Sequence, residues 1–219
     1  MRIAVVEDDD GLGDALADAL TEVGHSAIRM RRGADLLLGH REVDIALLDL
    51  GLPDADGLTI LRQLRAVSQI PVVVLTARDD ERSVVRALRA GADDYVVKPA
   101  RLGELRARLE VAGRRHGQAS EELTELLTMG DIIVDLGARR VEVEHREVAL
   151  TPKEFELLAH LVVRRGEAVS RQQLMDAIWG DAYVAISRSL DVHMTSLRAK
   201  LGKPDVIATI RGYGYRWST

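Results

Sequence analysis

With 219 residues, 47% hydrophobic and 30% charged side chains and a formal net charge of −5, the chain has apolar material for two ordinary cores and is not a disordered composition. It contains no cysteine, which excludes a disulfide framework, thiolate catalysis and thiolate zinc sites. No apolar run reaches membrane-spanning length and no charged-then-apolar leader precedes the first strand pattern, so a soluble, cytoplasmic protein without a membrane partner is expected.

Arg2 to Val6 is a buried-strand pattern that runs straight into four acids, Glu7 to Asp10. Leu12, Ala15, Leu16, Ala19, Leu20 and Val23 then recur at helical spacing, and Gly24 stops the helix. Ser26–Met30 reads as a second strand, 34–38 as a short helix, and Asp44–Leu48 as a third strand delivering Asp49 into a Pro- and Gly-marked loop. Because Ile45 to Leu48 is continuously apolar, that strand is expected to be buried on both faces. A helix with Leu58, Leu61 and Leu64, a strand over Ile70–Leu75 ending at Thr76, a helix before Gly91, a strand over Tyr95–Val97 ending at Lys98-Pro99, and a helix over Leu102–Val111 complete the first half. Five strands alternating with five helices predict an α/β doubly wound five-stranded parallel sheet with right-handed crossovers. Glu7 and Asp8, Asp49, Thr76 and Lys98 then gather at one carboxyl edge, where such sheets place their ligands.

A dinucleotide site would need a glycine-rich turn after the first strand, and acids stand there instead. Clustered carboxylates repel one another unless a cation intervenes, and a hard divalent ion such as Mg²⁺ suits carboxylates, waters and a phosphoryl group. Taken singly, Asp49 reads equally well as a turn residue, Thr76 as a strand-end cap, Tyr95 as a half-buried strand aromatic and Lys98 as an exposed lysine before a turn. Together, VVEDD, DLGLPDADGL, Thr76-Ala77 and Lys98-Pro99 resemble the receiver domain of bacterial two-component response regulators. The resemblance implies that Asp49 takes a phosphoryl group from a sensor histidine kinase. It further implies that Glu7, Asp8, Asp49 and the Gly51 carbonyl hold Mg²⁺, that Thr76, Tyr95 and Lys98 form the switch, and that Lys98-Pro99 is a cis peptide. Ala100 departs from the phenylalanine usual in that family. Asp93, Asp94, Glu104, Arg108 and Arg115 fit the charged pattern of its dimer face, whereas Val84 and Ala90 stand where an arginine and an acid are often found.

Gly113 to Ser120 is polar and without hydrophobic period, and a linker is expected over 114–128, between a receiver at 1–113 and a second domain at 129–219. The EELTELL run is compatible with a helical extension or with the tether. From Ile132 onwards short alternating strands appear, then a helix opened by Thr151-Pro152 with Glu154 in capping position, and another capped by Ser170 and ended by Gly180. A third helix is expected over about 186–201, with Leu190, Met194, Leu197 and Leu201 facing inward, followed by a hairpin turning at Gly212-Tyr213-Gly214. From Ile186 to the end, six basic residues (Arg188, Arg198, Lys200, Lys203, Arg211, Arg216) face two acids (Asp191, Asp205), a local surface suited to a polyanion. Three helices and a hairpin are the order of an α+β winged helix-turn-helix.

LTPKEFELL, SRSLDVHMTSLRAKLG and TIRGYGYRW are similar to the effector domain of the winged-helix (OmpR/PhoB-type) regulators. That likeness implies promoter DNA as a partner, the third helix in the major groove and Arg211 at the wing. It implies mainly phosphate contacts for Arg188, His193, Arg198 and Lys200, with a plain helix-surface position as the alternative for His193; Ser189, Val192 and Ser196 are the candidates for base-edge contact. Thr195-Ser196 replace residues that are frequently arginine, so contact-poor specificity is expected. The segment from Trp179 to Ile186 corresponds to a loop that in relatives can touch RNA polymerase, and a homodimer is expected on phosphorylation or DNA binding. The expected function is thus a transcription regulator and not an enzyme, although such receivers can release their own phosphoryl group. Two rivals remain: a DNA-binding protein whose receiver works without phosphate, and a metal-dependent hydrolase on the same scaffold.

Overall fold

The computed structural model describes residues 1–77, 81–117, 126–180 and 188–218. The chain divides into two compact units, Met1–Gly117 and Gln118–Thr219.

The first unit runs β1 (Arg2–Val6), α1 (Asp10–Glu22), β2 (Ser26–Met30), α2 (Gly33–Gly39), a 3₁₀ turn (His40–Glu42), β3 (Ile45–Asp49), α3 (Gly57–Val67), β4 (Val72–Thr76), α4 (Glu81–Arg89), β5 (Asp94–Val97) and α5 (Leu102–Gly117). The strands form one parallel sheet in the order β2-β1-β3-β4-β5. All five residues of β3 and of β4 are buried, as a sheet covered on both faces requires. One face packs Ile3, Val5, Ile45, Leu47, Val73 and Leu75 against Leu16, Leu20, Leu105 and Leu109 of α1 and α5. Helix starts are fixed locally: Asp9 accepts from the Leu12 amide at 2.7 Å to cap α1, and Asp56 caps α3 through the Leu58 amide. The strand expected from Ile70 begins at Val72, because Pro71 has no amide to donate.

The second unit opens with a four-stranded antiparallel sheet, β6 (Leu126–Met129), β7 (Ile132–Asp135), β8 (Arg140–Val143) and β9 (Arg146–Glu147). Then come α6 (Pro152–Val163), β10 (Ala168–Ser170), α7 (Arg171–Trp179), α8 (Arg188–Leu201), a 3₁₀ turn (Pro204–Val206), β11 (Ile207–Ile210) and β12 (Gly214–Trp217). Strands β10, β12 and β11 make a second antiparallel sheet in that order. Capping boxes start two helices, Thr151 with Glu154 on α6 and Ser170 with Gln173 on α7. The core joins Phe155, Leu158 and Leu161 of α6, Leu174 and Ile178 of α7, Leu190, Met194, Leu197 and Leu201 of α8, and Trp217 of β12.

Two expectations about boundaries change. Helix α5 continues to Gly117 and β6 begins at Leu126, so helix and strand enter the expected tether from both sides. Of the undecided EELTELL run, residues 121–125 lie outside the described residues, while Leu126 and Leu127 belong to β6, which pairs along β7 from Leu126↔Asp135 to Met129↔Ile132. Strand β10 was not foreseen; three residues carry no readable period.

Candidate functional site

The carboxyl edge of the parallel sheet assembles the acidic site. Asp49 ends β3 and is 7% exposed, while Glu7 directly follows β1 and is 2% exposed. Asp8, next to it, is exposed. Carboxylate oxygens of Glu7, Asp8 and Asp49 lie within 4.8 Å of one another. Lys98, just past β5, donates to Glu7 Oε2 at 2.7 Å and lies 3.2 Å from Asp49 Oδ2. Its backbone N–H donates to the Thr76 carbonyl at 2.7 Å, and the Lys98-Pro99 peptide is cis as expected. Burial opposes the ammonium charge, but the hydrogen bond to Glu7 and the charge of Asp49 outweigh it and raise the Lys98 pKa above the ordinary lysine value.

Two glycines shape the loop after Asp49. A Cβ on Gly51 would stand 3.2 Å from Asp49 Oδ2, so a side chain there would crowd the carboxylate. At Gly57 a Cβ would meet Leu50 Cα at 2.6 Å and the Asp49 carbonyl oxygen at 2.7 Å. The first turn of α3 therefore presses directly on the Asp49–Leu50 backbone, with the Gly57 amide donating to the Leu50 carbonyl at 3.2 Å.

The cleft of about 480 Å³ over Asp49 is lined by Gly51, Thr76 and Lys98, and also by Asp56, Ser83 and Arg86. Tyr95 is half-buried on the adjoining strand, in register with Val74, and is not among the lining residues. Ser83 and Arg86 were not singled out from the sequence. They lie one helical step apart on α4, and Arg86 Nη2 donates to Ser83 Oγ at 3.2 Å. The donor set is all oxygen, half-enclosed and acidic, which fits a hard divalent cation such as Mg²⁺.

Charges expected on a dimer face are instead engaged within the unit. Asp93, wholly buried, accepts from Arg65 at 2.8 Å and from the Val72 amide at 2.7 Å. Asp94 pairs with Arg108 at 2.7 Å, and Arg108 also reaches Glu104 at 2.8 Å. The Arg115 side chain lies outside the described residues.

On α8 the expected contact residues separate into distinct groups. Ser189 and His193 are 0% and 1% exposed and Val192 is 8% exposed, so these three face the core. His193 packs beside the Trp179 ring, with centroids 5.9 Å apart. Their burial corrects the base- and phosphate-contact assignments made for them: this side of α8 is covered, at His193 by Trp179 of α7, which the Leu190–Leu201 stripe alone did not predict. Arg198 donates to the Ile207 carbonyl and to Thr209 Oγ1 at 2.9 Å, with its guanidinium 5.3 Å over the Tyr215 ring. Lys200 pairs with Glu154 at 2.6 Å. Asp191 is held by Arg171 at 2.7 Å and by the Tyr215 hydroxyl at 2.9 Å, a clamp joining α7, α8 and β12. Ser196 is half-exposed, and Thr195 and Ala199 are exposed beside Asp191. Arg211 and Tyr213 are exposed in the hairpin turn. The Arg188 side chain and residues 181–187, where the polymerase-loop expectation falls, lie outside the described residues.

Comparison with known proteins agrees with both halves. The model of the response regulator receiver domain matches residues 3–110, and that of the transcriptional regulatory protein, C terminal, matches residues 145–217. The chain is 39% identical to the DNA-binding response regulator MtrA of Mycolicibacterium smegmatis over 98% of this chain and 96% of that protein. It is 41% identical to the KDP operon transcriptional regulatory protein KdpE of Escherichia coli, covering 99% and 98% of the two chains. Among solved structures, the response regulator DrrB of Thermotoga maritima, an OmpR/PhoB homolog, matches with a TM-score of 0.53 at 30% identity over 100% of this chain and 99% of that one. Among the described residues no helix is long and apolar enough to cross a membrane. A receiver edge and a winged helix in one chain, with relatives matched over nearly their whole length, make this protein a two-component, DNA-binding transcriptional response regulator of the OmpR/PhoB family.

Proposed function

We propose that Asp49 is the phosphoacceptor, that Glu7, Asp8, Asp49 and the Gly51 carbonyl hold Mg²⁺, and that phosphorylation by a sensor histidine kinase controls promoter binding through α8 and the wing. The single observation carrying this reading is the convergence of three carboxylates within 4.8 Å, with Lys98 within bonding reach of two of them.

The chemistry follows from placement. An Asp49 carboxylate oxygen forms the new O–P bond as the bond from phosphorus to the donor nitrogen breaks, and the imidazole leaves with a proton from solvent. Bound at the carboxylates, a divalent cation supplies the charge neutralisation that lets an anion approach an anion. Lys98, already 3.2 Å from Asp49 Oδ2, is placed to pair with a phosphoryl oxygen. Thr76, buried and lining the cleft, offers a hydroxyl donor to the same group. A phosphoryl group adds about −1.5 to −2 of charge, and the receiver state that turns Thr76 and Lys98 towards it gains in population. Half-buried Tyr95 then follows Thr76 inward as the readout.

In the effector unit, Arg188 and the exposed Arg211 supply phosphate and wing contacts, and Ser196 faces the groove. Arg198 and Lys200 keep a share of phosphate contact while holding the wing and α6. A homodimer formed on phosphorylation or DNA binding belongs to the same reading, as does contact of the segment 179–186 with RNA polymerase.

Intact mass after treatment with acetyl phosphate and Mg²⁺ tests the site. One phosphate-sized addition is expected, absent in Asp49→Asn and absent when the metal is chelated. Addition that persists in Asp49→Asn would place the acceptor elsewhere, and rapid turnover of a generic phosphoester would favour a hydrolase.

A further inference from the structure

The proposed role of α8 in the major groove leaves open what the helix reads there, and the side-chain partners narrow the answer. The long polar side chains described on its outward side are engaged within the protein. Asp191 is clamped by Arg171 and Tyr215, Arg198 is bound to the Ile207 carbonyl and Thr209, and Lys200 is bound to Glu154. A guanidinium that already donates three hydrogen bonds and stacks 5.3 Å over an aromatic ring would have to give these up to form a bidentate fork on guanine. The outward positions that carry no such ties are short: Thr195 and Ala199, one helical turn apart, with Ser196 beside them.

Thr195 is further specified by its own hydrogen bond. Its hydroxyl donates to the Asp191 carbonyl at 2.7 Å, which spends its proton and fixes the side-chain torsion. The γ-methyl is left as its apolar contact group, beside a hydroxyl oxygen that can now only accept. With Ala199 on the next turn, the two short side chains set methyl groups side by side on the exposed face. In the major groove one base offers a methyl of its own, thymine, and methyl-to-methyl contact is how Ala and Thr side chains distinguish it.

We infer that Thr195, supported by Ala199, is a specificity-determining residue that reads the 5-methyl group of thymine in the operator. This rests on the reading of α8 as the groove helix and adds the class of base it selects. Burial of one methyl group corresponds to about a fourfold change in affinity per thymine.

The test uses the full chain and a duplex obtained from it by selection on a random library. Each thymine of the selected half-site is replaced in turn by deoxyuridine, which removes only the methyl, and binding is measured for wild type and for Thr195→Ser. Serine keeps the hydroxyl bond to Asp191 and lacks the γ-methyl, so a merely structural role would leave the uracil effect unchanged. The expected result is a loss of about fourfold for wild type at one or more thymines, with that loss abolished in Thr195→Ser. Equal binding of all uracil duplexes by wild type, or an equal loss in both proteins, would overturn the inference while leaving DNA binding intact. Failure of selection to enrich any sequence would overturn the groove-helix reading itself.

Discussion

In the receiver, Glu7, Asp8 and Asp49 are drawn within 4.8 Å of one another, and Lys98 reaches two of them. On the outward side of α8, by contrast, Asp191, Arg198 and Lys200 each meet a partner from another element of their own unit. Like charges held together store an electrostatic demand, which a cation and then a phosphoryl group can answer. Charges matched internally hold α8 to α6, α7 and the β11 strand and leave the short side chains Thr195 and Ala199 exposed. On the proposed reading the first site changes its charge and the second keeps its shape. Two-component control needs both.

The largest expected effect tests the receiver half of that contrast. Lys98→Ala removes the ammonium shared by Glu7 and Asp49, and phosphoryl incorporation from acetyl phosphate should slow by roughly a hundredfold, as when one preorganised donor to a developing charge is lost. Time-resolved intact mass reads this directly. An unchanged rate would mean that the lysine is a bystander. Next comes Gly57→Ala, whose Cβ would meet Leu50 Cα at 2.6 Å and force backbone movement beside Asp49. Denaturant unfolding should show a loss of about 1–3 kcal/mol. A neutral result would show that the loop after β3 is pliable.

The effector half gives smaller numbers. Arg171→Ala opens the clamp on Asp191 and Tyr215, and because the pair is partly exposed the cost in stability should be about 1 kcal/mol after solvent screening. Smaller still is a pH effect. Burial by itself would raise the Asp191 carboxyl, but hydrogen bonds from Arg171 and Tyr215 and the guanidinium charge hold it below the ordinary carboxylate value. A depressed folded pKa stabilises the fold above the unfolded value of about 3.9 and loses that contribution as pH falls through the folded one. Thermal melts of wild type and Asp191→Asn should therefore differ by a constant amount from neutral pH down to about pH 5 and converge below about pH 4. A gap that widens in acid would refute the assignment.

The sheet edge was legible in the sequence because each strand there is a continuous apolar run that ends on a polar side chain. Buried strands write their limits as a change of composition, and Glu7, Asp49, Thr76 and Lys98 mark four such ends. The capped starts of α6 and α7 were legible for a related reason, since Thr151 and Ser170 act within three residues. The orientation of α8 was not. A serine and a histidine argue for an outward face, yet Ser189 and His193 are buried, His193 beside Trp179, which only the packing of α7 on α8 brings there. Arg198 and Lys200 looked like free cations for the same reason: Ile207, Thr209 and Glu154 are brought beside them only by the fold. Ser83 and Arg86 were hidden because neither belongs to a strand end, although α4 carries both to the cleft.

The most direct test of the account is the affinity of the full chain for a selected DNA site, measured before and after acetyl phosphate and Mg²⁺, with Asp49→Asn treated in parallel. Coupling between Asp49 and the effector predicts a gain of at least about fivefold for wild type and none for Asp49→Asn. Equal affinities before and after a verified phosphorylation of wild type would contradict it.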